Sequence, residues 1–179
     1  MPKVKRLSFK GMCEYQGEAV QAVAEPGDGT LVVRGVPRAL VIRCPDGCGE
    51  TITVNLDPRS GKAWRLYETR GKFTLYPSVW RETGCRAHFI LWRDEILWCD
   101  WDDSPSWHDD NLRAAILNIL PSNDETPVHF EEIAAKLKAV PWDVFWISSA
   151  LTKQGLAVSF EKGSLFKKSR KHTPHGGPQ

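Results

Sequence analysis

Two short glycine-flanked segments constrain the fold of this chain more than any other feature: C-P-D-G-C-G at residues 44–49 and G-C-R-A-H at residues 84–88. Each carries two soft metal ligands, and its glycines let the backbone turn sharply beside them. Zinc in proteins takes four such ligands in a tetrahedron, and a set made only of Cys and His closes a structural site. The pattern therefore predicts one structural Zn²⁺ site that joins two distant β-like segments. The predicted ligands are Cys44, Cys48, Cys85 and His88.

The size and charge of the chain limit its partners and its compartment. With 179 residues and a formal net charge of +2, it suits one domain or two small ones, and its charge is too balanced for a dominant partner such as DNA. The sequence has no apolar run of membrane-spanning length and no signal peptide pattern, so a cytoplasmic protein with no membrane partner is expected. Five cysteines in a reducing compartment favour metal binding or catalysis over a disulfide framework.

The hydrophobic pattern predicts an α+β chain with two domains. Short β-branched runs separated by turn signals indicate a β-rich, zinc-ribbon-like domain over residues 1–104. From residue 105 the apolar period becomes helical, and three helices followed by a hairpin resemble a small winged-helix domain over residues 105–168. The basic, then Gly/Pro-rich residues 169–179 are predicted to be a disordered tail.

The predicted winged helix is a poor match for a DNA reader. Such domains usually place the third helix in the major groove, but this one begins with Trp142, Asp143 and Trp146 and carries few bases. Exposed aromatic side chains are typical anchors for protein partners, although both indoles could instead pack in the core. Lysines on the wing and after it leave nucleic acid as a weaker candidate partner. The predicted partner-binding residues are Trp142, Trp146, Lys162, Lys167 and Lys168.

Other residues near the ligand pairs leave alternatives open. The predicted ligands could be small buried side chains with a solitary histidine. Cys13 and Cys99 lie in strand-like runs and are predicted to be buried thiols, with Cys99 the replacement ligand if His88 points elsewhere. Four protein ligands leave no open position for catalysis at the metal. If His88 is not bound, Glu50 and Ser78 are the candidate catalytic residues; otherwise they are a solvated residue and a turn residue.

The sequence also resembles a widespread family of uncharacterised bacterial zinc-binding domains. The family pattern is C-P-x-G-C-G, an apolar strand, T-L-x-P-S, C-R-x-H-F and a short strand pair ending in Trp. These elements stand here at residues 44–49, 53–56, 74–78, 85–89 and 96–98, and the similarity covers about residues 28–99. Members often have a further cysteine where this chain has Asp46. Without that cysteine, this chain still has four candidate ligands. The resemblance implies zinc binding and a genomic context of ubiquitin-like modification genes, with E1-like and E2-like enzymes.

Three functions follow, of which the first is preferred. The chain is expected to be a zinc-binding accessory or adaptor protein in a bacterial ubiquitin-like modification system, with structural zinc and a winged helix that docks a protein partner. That partner would be a ubiquitin-like protein or its E1-like or E2-like enzymes. The alternatives are a zinc-dependent hydrolase or peptidase acting on a ubiquitin-like protein or conjugate, and a DNA-binding transcriptional regulator. The residues leave open whether the chain is an enzyme.

Overall fold

The computed structural model describes residues 3–99, 105 and 107–170. The chain divides between Asp103 and Ser104 into two compact units. The described residues have the mixed α+β, β-rich architecture that the sequence predicts, with four helices and several small sheets. Residues 100–104 and the tail beyond residue 170 lie outside the described residues. The disorder predicted for the tail therefore stays a prediction, as does the assignment of the units to particular domain types.

The first unit begins with a four-stranded sheet that carries one short helix. Strands β1 to β4 lie in that order; β1 is parallel to β2, whereas the other neighbours are antiparallel. Helix α1 (Gln16–Ala22) joins β1 to β2 and buries Ala19 against Val32 and Val41. The strands are β1 (Ser8–Cys13), β2 (Asp28–Arg34), β3 (Val36–Arg43) and β4 (Thr51–Asn55).

Two smaller antiparallel sheets complete the first unit. One is the hairpin of β5 (Arg65–Thr69) and β6 (Lys72–Tyr76); the other is the sheet of β7 (Val79–Trp80), β8 (His88–Trp92) and β9 (Glu95–Trp98). Side chains from all three sheets of this unit share one apolar core, because alternate residues of each strand point to the same side. Among its fully buried members are Leu40, Ile42, Leu75, Phe89 and Trp98.

The second unit contains three helices and a small three-stranded sheet. Helix α2 (Asp110–Ile119) is capped by the Asp109 carboxylate, which accepts the Leu112 N–H at 2.9 Å. The strand β10 (Val128–His129), α3 (Phe130–Leu137), α4 (Pro141–Lys153), β11 (Ala157–Phe160) and β12 (Leu165–Lys168) follow. The helices and the final hairpin lie where the apolar periods predict them, whereas β10, which pairs with β12, was not predicted. The winged-helix and zinc-ribbon assignments stay predictions.

No helix in the described part of the chain is long and apolar enough to cross a membrane.

Candidate active site and thiol cluster

Three of the four predicted metal ligands come together in the first unit. Cys44 follows the end of β3, Cys48 lies four residues on, and Cys85 lies in the loop between β7 and β8. Their Sγ atoms all lie within 4.8 Å of one another, and those of Cys44 and Cys85 are 3.6 Å apart. The turn closes because Cys44 N–H donates to Glu50 O at 2.9 Å and Gly47 N–H donates to Cys44 O at 3.1 Å.

The donor set and its spacing fit a zinc ion. A Zn–S bond of about 2.3 Å in a tetrahedron separates neighbouring sulfurs by roughly 3.8 Å, close to the distances within this cluster. Cys44 is fully buried and belongs to the shared core, whereas Cys48 is exposed. Within the described residues, neither His88 nor Cys99 belongs to the cluster. The prediction that Cys99 is a buried thiol is wrong: it is exposed just beyond β9, where the core ends.

Arg81 is the cation of the cluster, and the sequence reasoning missed it. Its Nη1 donates to Cys48 Sγ at 3.3 Å and to Cys85 Sγ at 3.4 Å. Its Nη2 lies 3.9 Å from Glu50 Oε2. A guanidinium stabilises negative charge on nearby sulfur, and metal binding requires the thiolate form of cysteine. Arg81 therefore favours the charge state in which these sulfurs bind zinc.

Cys44 and Cys48 differ in their acidity. Burial is the largest cause that raises the pKa of Cys44 to about 12. Burial also acts to raise the pKa of Cys48, but the Glu50 backbone N–H, the two neighbouring thiols and the Arg81 guanidinium outweigh it and lower that pKa. The exposed Cys48 is therefore the thiol that ionises before the buried Cys44, and it marks the solvent side of the cluster.

The fourth predicted ligand, His88, contacts a serine instead of a cysteine. His88 Nε2 lies 3.1 Å from Ser78 Oγ, and both side chains are half-buried. The contact results from strand pairing: Ser78 precedes β7, His88 opens β8, and Trp80 of β7 pairs with His88. Two indoles border the pair. Trp64 Nε1 donates to Ser78 O at 3.1 Å, and the Trp80 ring centroid lies 5.9 Å from that of His88.

A serine within hydrogen-bond reach of a histidine can act as a nucleophile. With Nε2 unprotonated, the Ser78 hydroxyl donates to it, and His88 can accept that proton as Oγ attacks a carbonyl carbon. Ser78 was predicted as a catalytic candidate, but for chemistry at a metal. The C-x-x-H spacing favoured a ligand pair, and only the register of β7 against β8 reveals that His88 faces Ser78.

Glu50 and the predicted partner-binding residues have other surroundings. The Glu50 side chain is 65% exposed and lies against Arg81. In the second unit Trp142 and Trp146 are half-buried and stacked, with centroids 6.3 Å apart. Lys162 is exposed, and Lys168 is half-buried. Lys167 donates to Glu125 O at 3.2 Å and lies 5.4 Å from the Phe160 ring.

Comparison with known proteins gives a family match for part of the chain. Residues 17–99 match a family model described as bacterial ubiquitination-like system serine protease, BubE. The matched segment contains Ser78, His88 and the three clustered cysteines, and the family description agrees with the genomic context that the sequence resemblance implies. No curated protein matches the chain. No solved structure matches it either.

Proposed function

We propose that the first unit is a serine hydrolase that cleaves peptide or isopeptide bonds in a bacterial ubiquitin-like modification system. Ser78 is the nucleophile and His88 the general base. The observation that carries this proposal is the 3.1 Å contact between Ser78 Oγ and His88 Nε2. The match of residues 17–99 to a serine protease family of such a system supports the same reaction class and context. In this reaction Ser78 is the attacking group, whereas the zinc-dependent alternative would use water at the metal with Glu50 as its base.

The reaction needs only these two side chains to move its protons. His88 Nε2 accepts the Ser78 proton while Oγ forms a bond to the substrate carbonyl carbon. The C–N bond then breaks, and His88 returns the proton to the departing amine. Water next attacks the acyl-serine, His88 takes its proton, and the carboxylic acid leaves as Ser78 recovers its hydrogen.

Labelling with a fluorophosphonate probe tests the proposal directly. We expect a mass adduct on Ser78 in the unaltered chain, no adduct in Ser78→Ala, and a loss of about 100-fold or more in labelling rate in His88→Gln. The exposed Ser60 gives a matched control, since Ser60→Ala should label normally. Circular dichroism of each variant establishes that it folds.

Glu50→Gln separates this proposal from a zinc-dependent hydrolase. A serine nucleophile predicts unchanged labelling and unchanged hydrolysis of a ubiquitin-like precursor in this variant. Loss of hydrolysis in folded Glu50→Gln, or full activity in Ser78→Ala, would contradict the proposal and favour chemistry at the metal.

We also propose that the thiol cluster holds Zn²⁺ with a structural role. The ligands are Cys44, Cys48 and Cys85, and Arg81 offsets the charge of the sulfurs. The loop that carries Cys85 begins after β7 and ends at His88, so zinc would hold the segment between the two catalytic side chains. His88, the predicted fourth ligand, has the role of general base in this proposal, and neither it nor the replacement Cys99 belongs to the cluster among the described residues.

The second unit is the candidate for docking a protein partner, which is the adaptor role expected from sequence. The observation that favours it is an aromatic cluster on α4, in which Trp142, Phe145 and Trp146 contact one another and remain half-buried. Half-buried aromatic side chains are typical interface anchors. Protein docking is therefore preferred over DNA binding for this unit.

A further inference from the structure

An apolar groove of about 770 Å³ lies on the first unit, and its lining includes none of the three clustered cysteines. The β2–β3 hairpin forms one wall, where Leu31, Val33 and Val36 line it, and the segment from Ala63 to Glu68 forms another. Val36 is 53% exposed and Met12, also on the groove, is 62% exposed. Large apolar side chains left open to water beside a concave surface are typical of a binding site.

The shape of the groove favours an extended chain as its occupant. Strand β5 is an end strand of the two-stranded sheet, and consecutive residues of it line the groove. A strand that offered one face would contribute alternate residues, so β5 offers its edge. The tight turn at Arg70 and Gly71 makes Thr69 and Lys72 the first hydrogen-bonded pair of the hairpin. Hydrogen-bonded and non-hydrogen-bonded pairs alternate along an antiparallel hairpin, so the backbone N–H and C=O groups of Leu66 and Glu68 point away from β6.

The charges of the groove favour a neutral, apolar occupant. Asp57 lines the groove, but Arg38 Nη1 lies 2.6 Å and Arg59 Nη2 2.9 Å from its Oδ2. The remaining charged side chains of the lining are Arg65 and Glu68, which have opposite signs. The lining residues Asp57, Arg65 and Glu68 sum to a charge of −1, and with Arg38 and Arg59 the sum is +1, so the groove has no strong charge of either sign to attract an acidic or basic segment.

The groove adjoins the candidate active site at one residue, Trp64. Trp64 lines it, and the same indole donates through Nε1 to Ser78 O at 3.1 Å. A chain paired with β5 at Leu66 and Glu68 would end beside Trp64, next to Ser78; it would not pair with Trp64 itself, whose backbone N–H donates to Asn55 O at 2.8 Å.

We infer that this groove binds the segment of the substrate next to the cleaved bond as an added β-strand: an extended, uncharged segment with apolar side chains, paired with the edge of β5. The inference rests on the proposed hydrolase function and names the class of its substrate. Strand addition supplies affinity through main-chain hydrogen bonds and selectivity through side-chain pockets.

The test uses the full chain carrying Ser78→Ala, so that binding is measured without cleavage. The probe is a fluorescein-labelled five-residue peptide of alternating Leu and Thr with blocked ends, matched to the five residues of β5. Anisotropy should show saturable binding that weakens about tenfold, or 1.4 kcal/mol, when Val36→Arg is added. Val20→Arg is the matched control, because Val20 is 41% exposed on α1 and lies outside the groove.

Methylated peptides identify the mode of binding. N-methylation of one alternate set of residues removes the N–H groups that face β5 and should abolish binding, whereas methylation of the other set should leave it within about twofold. Equal binding of both peptides, no binding at all, or equal binding by Val36→Arg would overturn the inference. Light scattering provides a further check. If it shows a dimer of the chain, and if Val36→Arg dissociates that dimer, the occupant of the groove is a second copy of the chain and the inference is overturned.

Failure of this inference can be told apart from failure of the proposed function. p-Nitrophenyl acetate is a substrate too small to fill the groove, whereas its hydrolysis by the unaltered chain needs the serine and the histidine. Ester hydrolysis without peptide binding would reject the groove alone, and peptide binding without ester hydrolysis would reject the serine chemistry alone.

Discussion

At the scale of single residues, Asp28 shows how this fold stabilises a buried charge. Its carboxylate is almost fully buried at the start of β2. It accepts the N–H groups of Ala24 at 3.2 Å and Glu25 at 2.9 Å, and Lys10 Nζ lies 3.0 Å away. Burial alone would raise the pKa of Asp28, but these partners outweigh it and hold the pKa below its usual value of 3.8.

Asp28→Asn is expected to lower the free energy of unfolding by about 1–3 kcal/mol at neutral pH, since hydrogen bonds to a charged group are lost. The folded-state pKa is depressed, so the stabilisation is present above pH 3.8 and is lost as pH falls through the folded pKa. Urea titrations of both proteins over this range measure it. A difference between them that does not shrink in acid would contradict the assignment.

At the scale of elements, the hairpin β5–β6 depends on two residues with left-handed backbone. Arg70 has φ 54° and Gly71 has φ 72°, which is the geometry of the two-residue turn that matches strand twist. A Cβ added at Gly71 would meet no heavy atom within 4 Å, so a substitution there acts through the backbone alone. Gly71 therefore reports on conformational preference without a change in packing, and the Arg70 side chain is exposed.

Opposite effects are expected from two substitutions in this turn. Arg70→Asn should raise the free energy of unfolding by about 0.5 kcal/mol, because asparagine tolerates positive φ better than arginine. Gly71→Ala should lower it by about 1 kcal/mol, because alanine is strained there. Guanidinium titrations at neutral pH measure both, and effects of the same sign would show that side-chain contacts dominate the turn.

Elements with local signals could be predicted from the sequence, whereas contacts set by register could not. Helix α4 begins at Pro141 and the last hairpin surrounds a glycine, so each carries its own boundary signal. The parallel pairing of β1 with β2 and the short β7 carry none. Ser78 and His88 were both singled out, yet their contact depends on Trp80 pairing with His88, which residue spacing does not determine.

At the scale of the whole molecule, the candidate chemistry lies within one unit. The thiol cluster, the Ser78–His88 contact and the apolar groove all belong to the first unit, as does the segment that matches the family model. The second unit carries the aromatic cluster on α4 instead. We infer a division of labour, in which one unit cleaves and the other docks a partner.

Metal removal should affect the first unit selectively. Elemental analysis is expected to find one zinc per chain, and Cys85→Ser should lower that content. After chelation, iodoacetamide should modify Cys48 before Cys13, since the pKa of Cys48 is lowered while burial raises that of Cys13. Mass spectrometry locates the adducts. Equal zinc content in Cys85→Ser, or Cys48 labelling that chelation does not increase, would remove the cluster as a metal site.

The loop between β7 and β8 has a consequence for how this sequence can diverge. Ser78 lies just before β7 and His88 opens β8, with Arg81 and Cys85 in the loop between the two strands. Because the Trp80–His88 pair fixes both ends of this loop, an inserted or deleted residue would have to be absorbed within it and would displace the Cys85 thiol. Substitutions in this loop should therefore be tolerated in evolution far more readily than insertions or deletions. Natural variants that keep the function should have a loop of the same number of residues.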